Sequence, residues 1–292
     1  MDNAIFDRFN GVSDDEFLDL LIRAEREPII EGVRMPGFPD LEFQKNSVGS
    51  RGAKDLKLEP FQFTKAVRKS ADQFGILIDK DTRILDFGVG WGRMIRFFFK
   101  DILSDNIHGT DVWKMMIDYC NQLLPAGRYS VNSPHPPIGF ADDTFDIIYA
   151  YSVFSHLRSD VAEAWIKEFS RILKPNGIVV ATTEGEYFLG VCERLQNNPD
   201  MQAGNPWYPM IARAFDPISE FQKRYSDGEF LYVPTGGGDA LDSSFYGDAV
   251  VPERFIKDVF GIHLLFREFT QFDKNDSLLP QARFVLQKET SQ

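Results

Sequence analysis

The stretch that decides the fold of this chain is Arg83-Ile-Leu-Asp-Phe-Gly-Val-Gly-Trp-Gly-Arg93. Its first part, Ile84 to Phe87, is a largely apolar run typical of a buried strand, and the glycines that follow lead into a helical pattern. In α/β proteins such a strand–turn–helix junction holds charged ligands, because backbone N–H groups and the helix dipole meet there. The stretch therefore predicts a ligand site at the carboxyl edge of a parallel sheet.

The charge and spacing of this motif indicate which ligand it holds. Asp86 lies two residues before the first glycine, where a carboxylate repels a pyrophosphate but accepts hydrogen bonds from an ammonium group. The spacing of Gly88, Gly90 and Gly92 also differs from the G-x-G-x-x-G of dinucleotide-binding proteins. These features predict a ligand with a cationic amine and a carboxylate, and S-adenosyl-L-methionine carries both.

A second acidic residue supports this ligand class. A predicted strand over Ile107 to Thr110 is followed by Asp111, roughly twenty residues beyond the turn, where nucleotide-binding α/β folds place an acid on the ribose hydroxyls. NAD enzymes share this feature, so Asp111 alone does not distinguish the two cofactors. The alternative is purely structural, with the glycines in a tight turn and Asp111 capping the helix that begins near Trp113.

Composition narrows the classes of substrate and compartment. The chain has 292 residues and a net charge of −12, with no lysine or arginine cluster of the kind that nucleic-acid enzymes use on phosphates. Cys120 and Cys192 have no metal-ligand spacing and indicate a reducing compartment. No signal peptide or membrane-spanning run is visible. We therefore expect a cytoplasmic protein without a nucleic-acid partner, membrane span or metal site. The acidic balance disfavours a highly anionic substrate unless Arg51, Lys54 and Lys57 assemble a local basic pocket; a solvated loop is the alternative for these three.

The alternation of strands and helices predicts a doubly wound, Rossmann-like α/β fold with a seven-stranded sheet whose last strand is antiparallel. We divide the chain into an N-terminal helical cap (1–75), a cofactor-binding core (76–185), an insertion between strands 5 and 6 (186–247), and a C-terminal helix with two strands (248–292). The insertion is rich in proline and glycine, which favours a lid over the substrate; a solvated excursion is the alternative.

Three local predictions are specific enough to compare with the structure. Pro36 to Leu58 is expected to be a loop, and Trp91 to Phe99 a helix. Pro175 to Gly177 is expected to be a turn that precedes strand five, Ile178 to Thr183. The loop Phe272 to Pro280 is expected to join the last two strands as a hairpin.

Four motifs give the chain a family resemblance. Over about residues 80–185 it resembles class I S-adenosylmethionine-dependent methyltransferases, and its last strands fit their seven-stranded sheet. More narrowly, it is similar to bacterial methyltransferases associated with glycosyltransferase, cell-surface or secondary-metabolite gene clusters. The motifs are Ile84–Arg93, Pro136–Asp146, Ser152–Leu157 and Leu173–Gly177.

The resemblance implies a role for each residue of a cofactor site. The glycine turn with Asp86 would hold the methionine end of the cofactor, Asp111 the ribose, and the residues after it the adenine. Asn132 stands where the family often has a carboxylate for the adenine amine, and Tyr151 would offer backbone groups to the cofactor's amine. The complete predicted set is Asp86, Gly88, Gly90, Gly92, Asp111, Val112, Trp113, Asn132 and Tyr151.

Transfer of a methyl group to a hydroxyl also needs a base. His156 follows strand four at the carboxyl edge of the sheet and titrates near neutral pH, so we expect it to be the catalytic base. The alternative is that it only caps the next helix or hydrogen-bonds a loop carbonyl. His135, Tyr225 and Tyr246 are the candidate substrate contacts.

These residues predict an S-adenosylmethionine-dependent methyltransferase that acts on a hydroxyl of a sugar or related small polar metabolite. Methylation of a nitrogen or carbon atom of a small metabolite, and a cofactor-binding protein without catalysis, are the alternatives. Asp86 and the glycine spacing argue against an NAD-dependent oxidoreductase.

Overall fold

The computed structural model describes residues 3–203, 205, 207–271 and 280–290. Within these ranges the strands, in chain order, are β1 Ile29–Ile30, β2 Val33–Arg34, β3 Ile84–Phe87, β4 Ile107–Asp111, β5 Arg128–Val131, β6 Phe145–Ala150, β7 Leu173–Thr183, β8 Leu231–Val233, β9 Asp248–Val250, β10 Leu265–Thr270 and β11 Ala282–Gln287.

Seven of these strands form one mixed sheet in the order β10-β11-β7-β6-β3-β4-β5. The strand β3 pairs in parallel with β4 on one side and with β6 on the other, and β10 pairs antiparallel with β11. The predicted doubly wound, Rossmann-like sheet with an antiparallel last strand is therefore confirmed. Because β4 and β6 lie on opposite sides of β3, the strand order reverses there, and such a reversal is where open α/β sheets bind ligands.

Helices precede, flank and interrupt this sheet along the chain. The α-helices of the described residues are α1 Ala4–Phe9, α2 Asp14–Arg23, α3 Leu41–Val48, α4 Glu59–Gln73, α5 Lys114–Leu123, α6 Ser159–Ile172, α7 Glu186–Asn197, α8 Trp207–Ala214, α9 Ile218–Ser226 and α10 Glu253–Asp258. Short 3-10 helices cover Ala53–Lys57, Ile95–Phe98, Ser104–Asn106, Pro199–Gln202 and Phe260–Ile262. No helix of the described part combines the length and apolar character needed to cross a bilayer.

The chain packs as two compact units. The first contains the residues up to Asn132 together with Phe140–Tyr149 and Leu173–Ile178. The second contains Ser133–Gly139, Ala150–Ile172 and the described residues from Val179 onward. The four-part division drawn from the sequence remains a prediction.

In the first unit, the segment predicted as a loop from Pro36 to Leu58 is largely helical, so that prediction is wrong. The helix α3 begins at Asp40, whose carboxylate accepts a hydrogen bond from the N–H of Phe43 at 2.8 Å, and it ends at Gly49 with a left-handed φ of 67°. Both are ordinary helix-capping signals that lie between polar residues. The helix has few buried apolar residues, so a search for apolar periodicity misses it.

The helix predicted over Trp91 to Phe99 is also wrong, because only a 3-10 helix over Ile95–Phe98 forms there. The carbonyl of Gly92, which an α-helix would pair with the N–H four residues later, is bonded to the side-chain Nε of Arg96 at 2.8 Å. The backbone N–H of Ile95 is bonded to the carboxyl of Asp86. These competing partners keep the segment out of a regular α-helix.

The strand β7 begins at Leu173, so the turn expected at Pro175 to Gly177 lies inside a strand rather than before one. Asn176 adopts the left-handed φ of 66° expected of a turn residue. Lys174, however, pairs with Asp146 at the start of β6 at 2.7 Å. This ion pair helps to hold the segment beside its neighbouring strand.

In the second unit, the predicted insertion has more regular structure than its proline and glycine content suggests. The helices α7, α8 and α9 and the strand β8 account for much of its described length, and β8 pairs with β9, which lies just beyond the insertion. Buried side chains of the insertion form a hydrophobic core together with Val250 of β9: Phe188, Leu189, Cys192, Leu195, Ile211, Ala212, Phe215, Leu231 and Val250. The hairpin of β10 and β11 is confirmed, and residues 272–279 of its predicted loop lie outside the described residues.

Candidate functional site

The glycine turn after β3 has a backbone that only glycine adopts easily. Gly88, Gly90 and Gly92 have φ angles of 80°, 53° and 84°, all in the left-handed region. A Cβ atom added to Gly92 would lie 2.4 Å from the Cδ1 of Leu124, whereas one added to Gly90 would meet nothing within 4 Å. Gly90 therefore faces open space, and Gly92 faces the helix layer.

The N–H groups of this turn are bonded within the protein. Gly88 and Val89 both donate to the carbonyl of Thr110, at 2.8 and 2.9 Å, and Gly90 donates to the Oδ2 of Asp111 at 3.0 Å. The expectation that backbone N–H groups of the turn approach the ligand is therefore wrong for these three residues. A phosphate needs such donors, so the turn fits a cationic amine better than a pyrophosphate.

Asp111 brings several predicted cofactor residues together. Its two carboxylate oxygens accept hydrogen bonds from the N–H groups of Trp113, at 2.8 Å, and of Gly90. Its carbonyl accepts one from the N–H of Asn132 at 3.0 Å, and Val112 is half-buried beside it. Burial raises the pKa of Asp111 and these backbone bonds oppose the rise. The N–H of Val112 also bonds to this carboxylate, and three donors leave one of its roughly four lone-pair sites for a ribose hydroxyl.

Asp86 is a buried carboxyl that bonds to a tyrosine packed among aromatic rings. It lies opposite Tyr149 in the register of β3 and β6, and the Tyr149 hydroxyl donates to its Oδ2 at 2.8 Å. The rings of Phe63 and Phe98 lie 5.8 and 5.7 Å from that of Tyr149. Burial raises the pKa of Asp86 to about 8, although bonds from Tyr149 and the N–H of Ile95 oppose the rise. A cation brought close to this carboxyl would favour its ionised form.

In the second unit, the insertion fixes the orientation of His156. The ring Nδ1 lies 2.8 Å from the carbonyl oxygen of Gly247. A carbonyl only accepts, so this nitrogen carries the proton and the Nε2 of the neutral ring holds a lone pair. The N–H of Gly247 donates back to the His156 carbonyl at 2.8 Å, and the Tyr246 ring stacks on the imidazole at 4.6 Å with 13° between the planes.

The surroundings of His156 favour its neutral form. Burial lowers the pKa of His156 below its ordinary value, while the charge of Asp248 and the carbonyl of Gly247 oppose the shift. Asp248 is itself oriented by the Thr235 hydroxyl, which donates to its Oδ2 at 2.7 Å. An imidazole that is neutral at pH 7 and has a free Nε2 lone pair can accept a proton.

The other predicted residues of the second unit fall in different places. The exposed His135 has its ring 6.3 Å from that of Phe245, the residue before Tyr246. Tyr225 packs against the hydrophobic core of the insertion, and its hydroxyl accepts a hydrogen bond from Gln271 at 2.8 Å. Tyr151 is half-buried directly after β6. The structure thus places Tyr246 on His156 and Tyr225 in the insertion's own packing.

A polar cluster next to His156 was not predicted. Gln281, just before β11, donates from Nε2 to the Ser152 hydroxyl at 3.0 Å and to Glu184 at 3.1 Å, and accepts from the Thr182 hydroxyl at 2.6 Å. The N–H of Ser152 in turn donates to Thr182 Oγ1 at 2.8 Å. Three separate elements contribute to this cluster, so no local spacing in the sequence points to it. Tyr149 and Gly247 were missed for the same reason.

Comparison with known proteins agrees with these observations. Residues 85–181 match the family model of a methyltransferase domain. Over this segment the chain is similar to methyltransferase domains. The match confirms the predicted class of domain and S-adenosylmethionine as its cofactor, and it covers the glycine turn, the acid after β4 and His156.

Individual relatives share little sequence identity with this chain. An uncharacterized methyltransferase of Schizosaccharomyces pombe is 29% identical over 112 residues, which cover 35% of this chain. The chain spans 40% of the length of that relative. A S-adenosylmethionine-dependent methyltransferase from Clostridium acetobutylicum has a TM-score of 0.53 and 12% identity, over 85% of this chain and 97% of that one. One from Methanosarcina mazei has a TM-score of 0.48 and 14% identity, over 73% and 95%. The Clostridium structure confirms the fold.

Proposed function

We propose that the whole protein is a S-adenosylmethionine-dependent methyltransferase that methylates a hydroxyl of a small polar metabolite, such as a sugar. The observation that carries this proposal is the orientation of His156. Its Nδ1 proton is committed to the Gly247 carbonyl, so Nε2 is left as a proton acceptor. An oxygen acceptor needs such a base, whereas a neutral amine or an activated carbon does not need one at this position.

The cofactor residues of the first unit support the same function. S-adenosylmethionine would supply a methyl group already activated by its sulfonium charge. We propose that Asp86 binds its ammonium group, with Gly88 and Gly90 lying against its methionine part. Asp111 would accept from the ribose hydroxyls. The adenine would lie against Val112 and Trp113 and bond to Asn132. Tyr151, a residue of the second unit, would offer backbone groups to the amine.

In the second unit, His156 would take the proton of the acceptor hydroxyl on Nε2. The positive charge that forms on the ring is stabilised by the Gly247 carbonyl at 2.8 Å and by the nearby charge of Asp248. Since burial lowers the pKa of His156, the ring is neutral and ready to accept at pH 7. A positioned base of this kind contributes about 10²–10⁴-fold to a rate.

The remaining predictions belong to the same proposal. The insertion of residues 186–247 would cover the acceptor, with Tyr246, His135 and Tyr225 as its contact residues. Tyr246 has the strongest support, because it stacks on His156. An acceptor of the kind used in cell-surface or secondary-metabolite synthesis, and a cytoplasmic location, complete the proposal.

Calorimetry with S-adenosylmethionine and S-adenosylhomocysteine tests the cofactor site first, with NAD titrated alongside. Wild-type protein should bind both sulfur compounds, and Asp86→Ala and Asp111→Ala should each weaken binding strongly. Binding of NAD in place of the sulfur compounds would contradict the proposed cofactor site.

The acceptor is tested by following transfer of a labelled methyl group to a panel of sugars, polar hydroxyl metabolites and small amines. His156→Ala should abolish transfer to hydroxyls, and His263→Ala, a histidine paired with Glu163 at the surface, should not. Full activity of His156→Ala on an amine would favour N-methylation. Cofactor binding without transfer to any compound would favour a non-catalytic protein.

A further inference from the structure

The first unit contains a groove whose lining residues all lie outside the predicted cofactor set. It has a volume of about 1090 Å³ and is lined by the end of α2, by Gly37–Leu41 and Gln44, and by Arg51 and Lys54. Small-molecule sites in proteins measure roughly 300–1,000 Å³. This groove is therefore large enough for a ligand of nucleotide size.

The acidic side chains that line the groove are committed to other partners. Glu25 accepts a hydrogen bond from the N–H of Ala53 at 3.1 Å. Glu27 forms a two-point ion pair with Arg23, with both contacts at 2.7 Å. Asp40 caps α3. Only Glu27 is therefore neutralised by a cation, whereas Glu25 and Asp40 bond to backbone N–H groups and keep their negative charge.

Three of the basic side chains that line the groove lack such partners among the described residues. Within the described part of the chain, the side chains of Arg26, Arg51 and Lys54 form no ion pair and no hydrogen bond, although all three line the groove. Lys57, on the same 3-10 helix as Lys54, instead pairs with Asp19 at 3.5 Å. The structure thus brings Arg51 and Lys54 into one basic pocket and leaves Lys57 outside it.

A buried cation lies behind one wall of this groove. The guanidinium of Arg96 stacks on the ring of Phe38, which lines the groove, at 4.6 Å and on that of Trp91 at 5.0 Å. Arg96 is fully buried, and among the described residues its Nη1 and Nη2 have no hydrogen-bond partner. Burial lowers the pKa of Arg96 to about 9, so it remains charged at pH 7. Its field is weakly screened in this apolar setting.

We propose that this groove binds a phosphate-bearing small molecule. The groove lining carries four basic side chains (Arg23, Arg26, Arg51 and Lys54) against three carboxylates (Glu25, Glu27 and Asp40), a net charge of +1 in a chain of net charge −12, and guanidinium groups match phosphate oxygens in geometry. Phe38 and Leu41, which is 58% exposed, offer an apolar surface for the rest of the ligand. The proposal does not depend on the methyl acceptor, because the groove shares no residue with the cofactor or base positions.

Titration of the full chain with inorganic pyrophosphate at low ionic strength tests the proposal. Wild-type protein should bind it, and the double variant Arg51→Gln/Lys54→Gln should bind at least about tenfold more weakly, because two charge-assisted contacts are lost. Lys57→Gln is the matched control on the same 3-10 helix, and it should change the affinity less than about twofold.

Two further measurements keep the outcomes distinct. Saturating S-adenosylhomocysteine should leave pyrophosphate binding in place, since competition would assign the phosphate to the cofactor site and overturn the proposal. A single-stranded RNA should bind no better than pyrophosphate, since preference for the polymer would identify a nucleic-acid surface instead. Absence of pyrophosphate binding to the wild type, or equal binding by the double variant, also overturns the proposal.

Discussion

Replacement of Asp86 by asparagine should change how the stability of the protein without cofactor depends on pH. Burial raises the pKa of Asp86 from 3.8 to about 8 in the folded state. A raised pKa means that the folded state holds the proton more tightly than the unfolded chain. The stability contributed by the protonated carboxyl is therefore fully present below about pH 4, and it is lost as the pH rises through about 8.

The size of this loss of stability follows from the interval between the two pKa values of Asp86. One proton bound only in the folded state changes the free energy of unfolding by about 1.4 kcal/mol per pH unit. Between pH 5 and pH 8 the wild type should lose at most about 4 kcal/mol through this group. Asp86→Asn has no such titration, so its stability relative to the wild type should rise by that amount over the same range.

The change with pH in the stability difference between Asp86→Asn and wild type is diagnostic, because other effects of the substitution do not depend on pH. The asparagine oxygen can still accept from the Tyr149 hydroxyl, but the amide NH₂ cannot accept from the N–H of Ile95, so a constant penalty is expected. Urea unfolding at pH 5, 6, 7 and 8 separates the slope from this offset. The control is Asp15→Asn, at an exposed position in the first turn of α2. A difference between Asp86→Asn and wild type that stays constant with pH would refute the reasoning.

Three further substitutions test other parts of the site. Gly90→Ala should cost only about 1 kcal/mol of stability, and because its Cβ enters open space it should weaken the binding of S-adenosylhomocysteine measured by calorimetry. Gly92→Ala should cost about 1–3 kcal/mol in urea unfolding, because its Cβ meets Leu124. Equal losses of stability in the two variants would contradict this. In methyl transfer to a hydroxyl, the wild-type rate should fall on the acid side at a pH below 6.5, since burial lowers the pKa of His156, and a limb above 6.5 would exclude this histidine as the base. Gln281→Leu should destabilise the protein by about 1–3 kcal/mol in urea, because the polar groups bonded to its amide lose their partner; an unchanged midpoint would show that water replaces the amide.

The sequence was most informative where one short segment carried the whole signal. The strand β3, the left-handed turn and Asp86 are adjacent in the chain, so periodicity, glycine spacing and charge could be interpreted together. The capping box of Ser13 and Glu16 is local in the same sense, and the structure contains both of its hydrogen bonds. The helix expected over Trp91 to Phe99 failed because side chains compete for its backbone groups.

The sequence by itself determined the strands of the core sheet, the glycine turn and the class of domain, because each depends on neighbouring residues and on the periods of strand and helix. Only the tertiary structure decided which groups are free to act. The N–H groups of Gly88, Val89 and Gly90 are occupied by Thr110 and Asp111, and Asp86 is buried and bonded to Tyr149 of another strand. The proton of His156 is placed by a carbonyl 91 residues away. Hydrogen bonding and burial depend on packing between distant segments, and no local pattern encodes them.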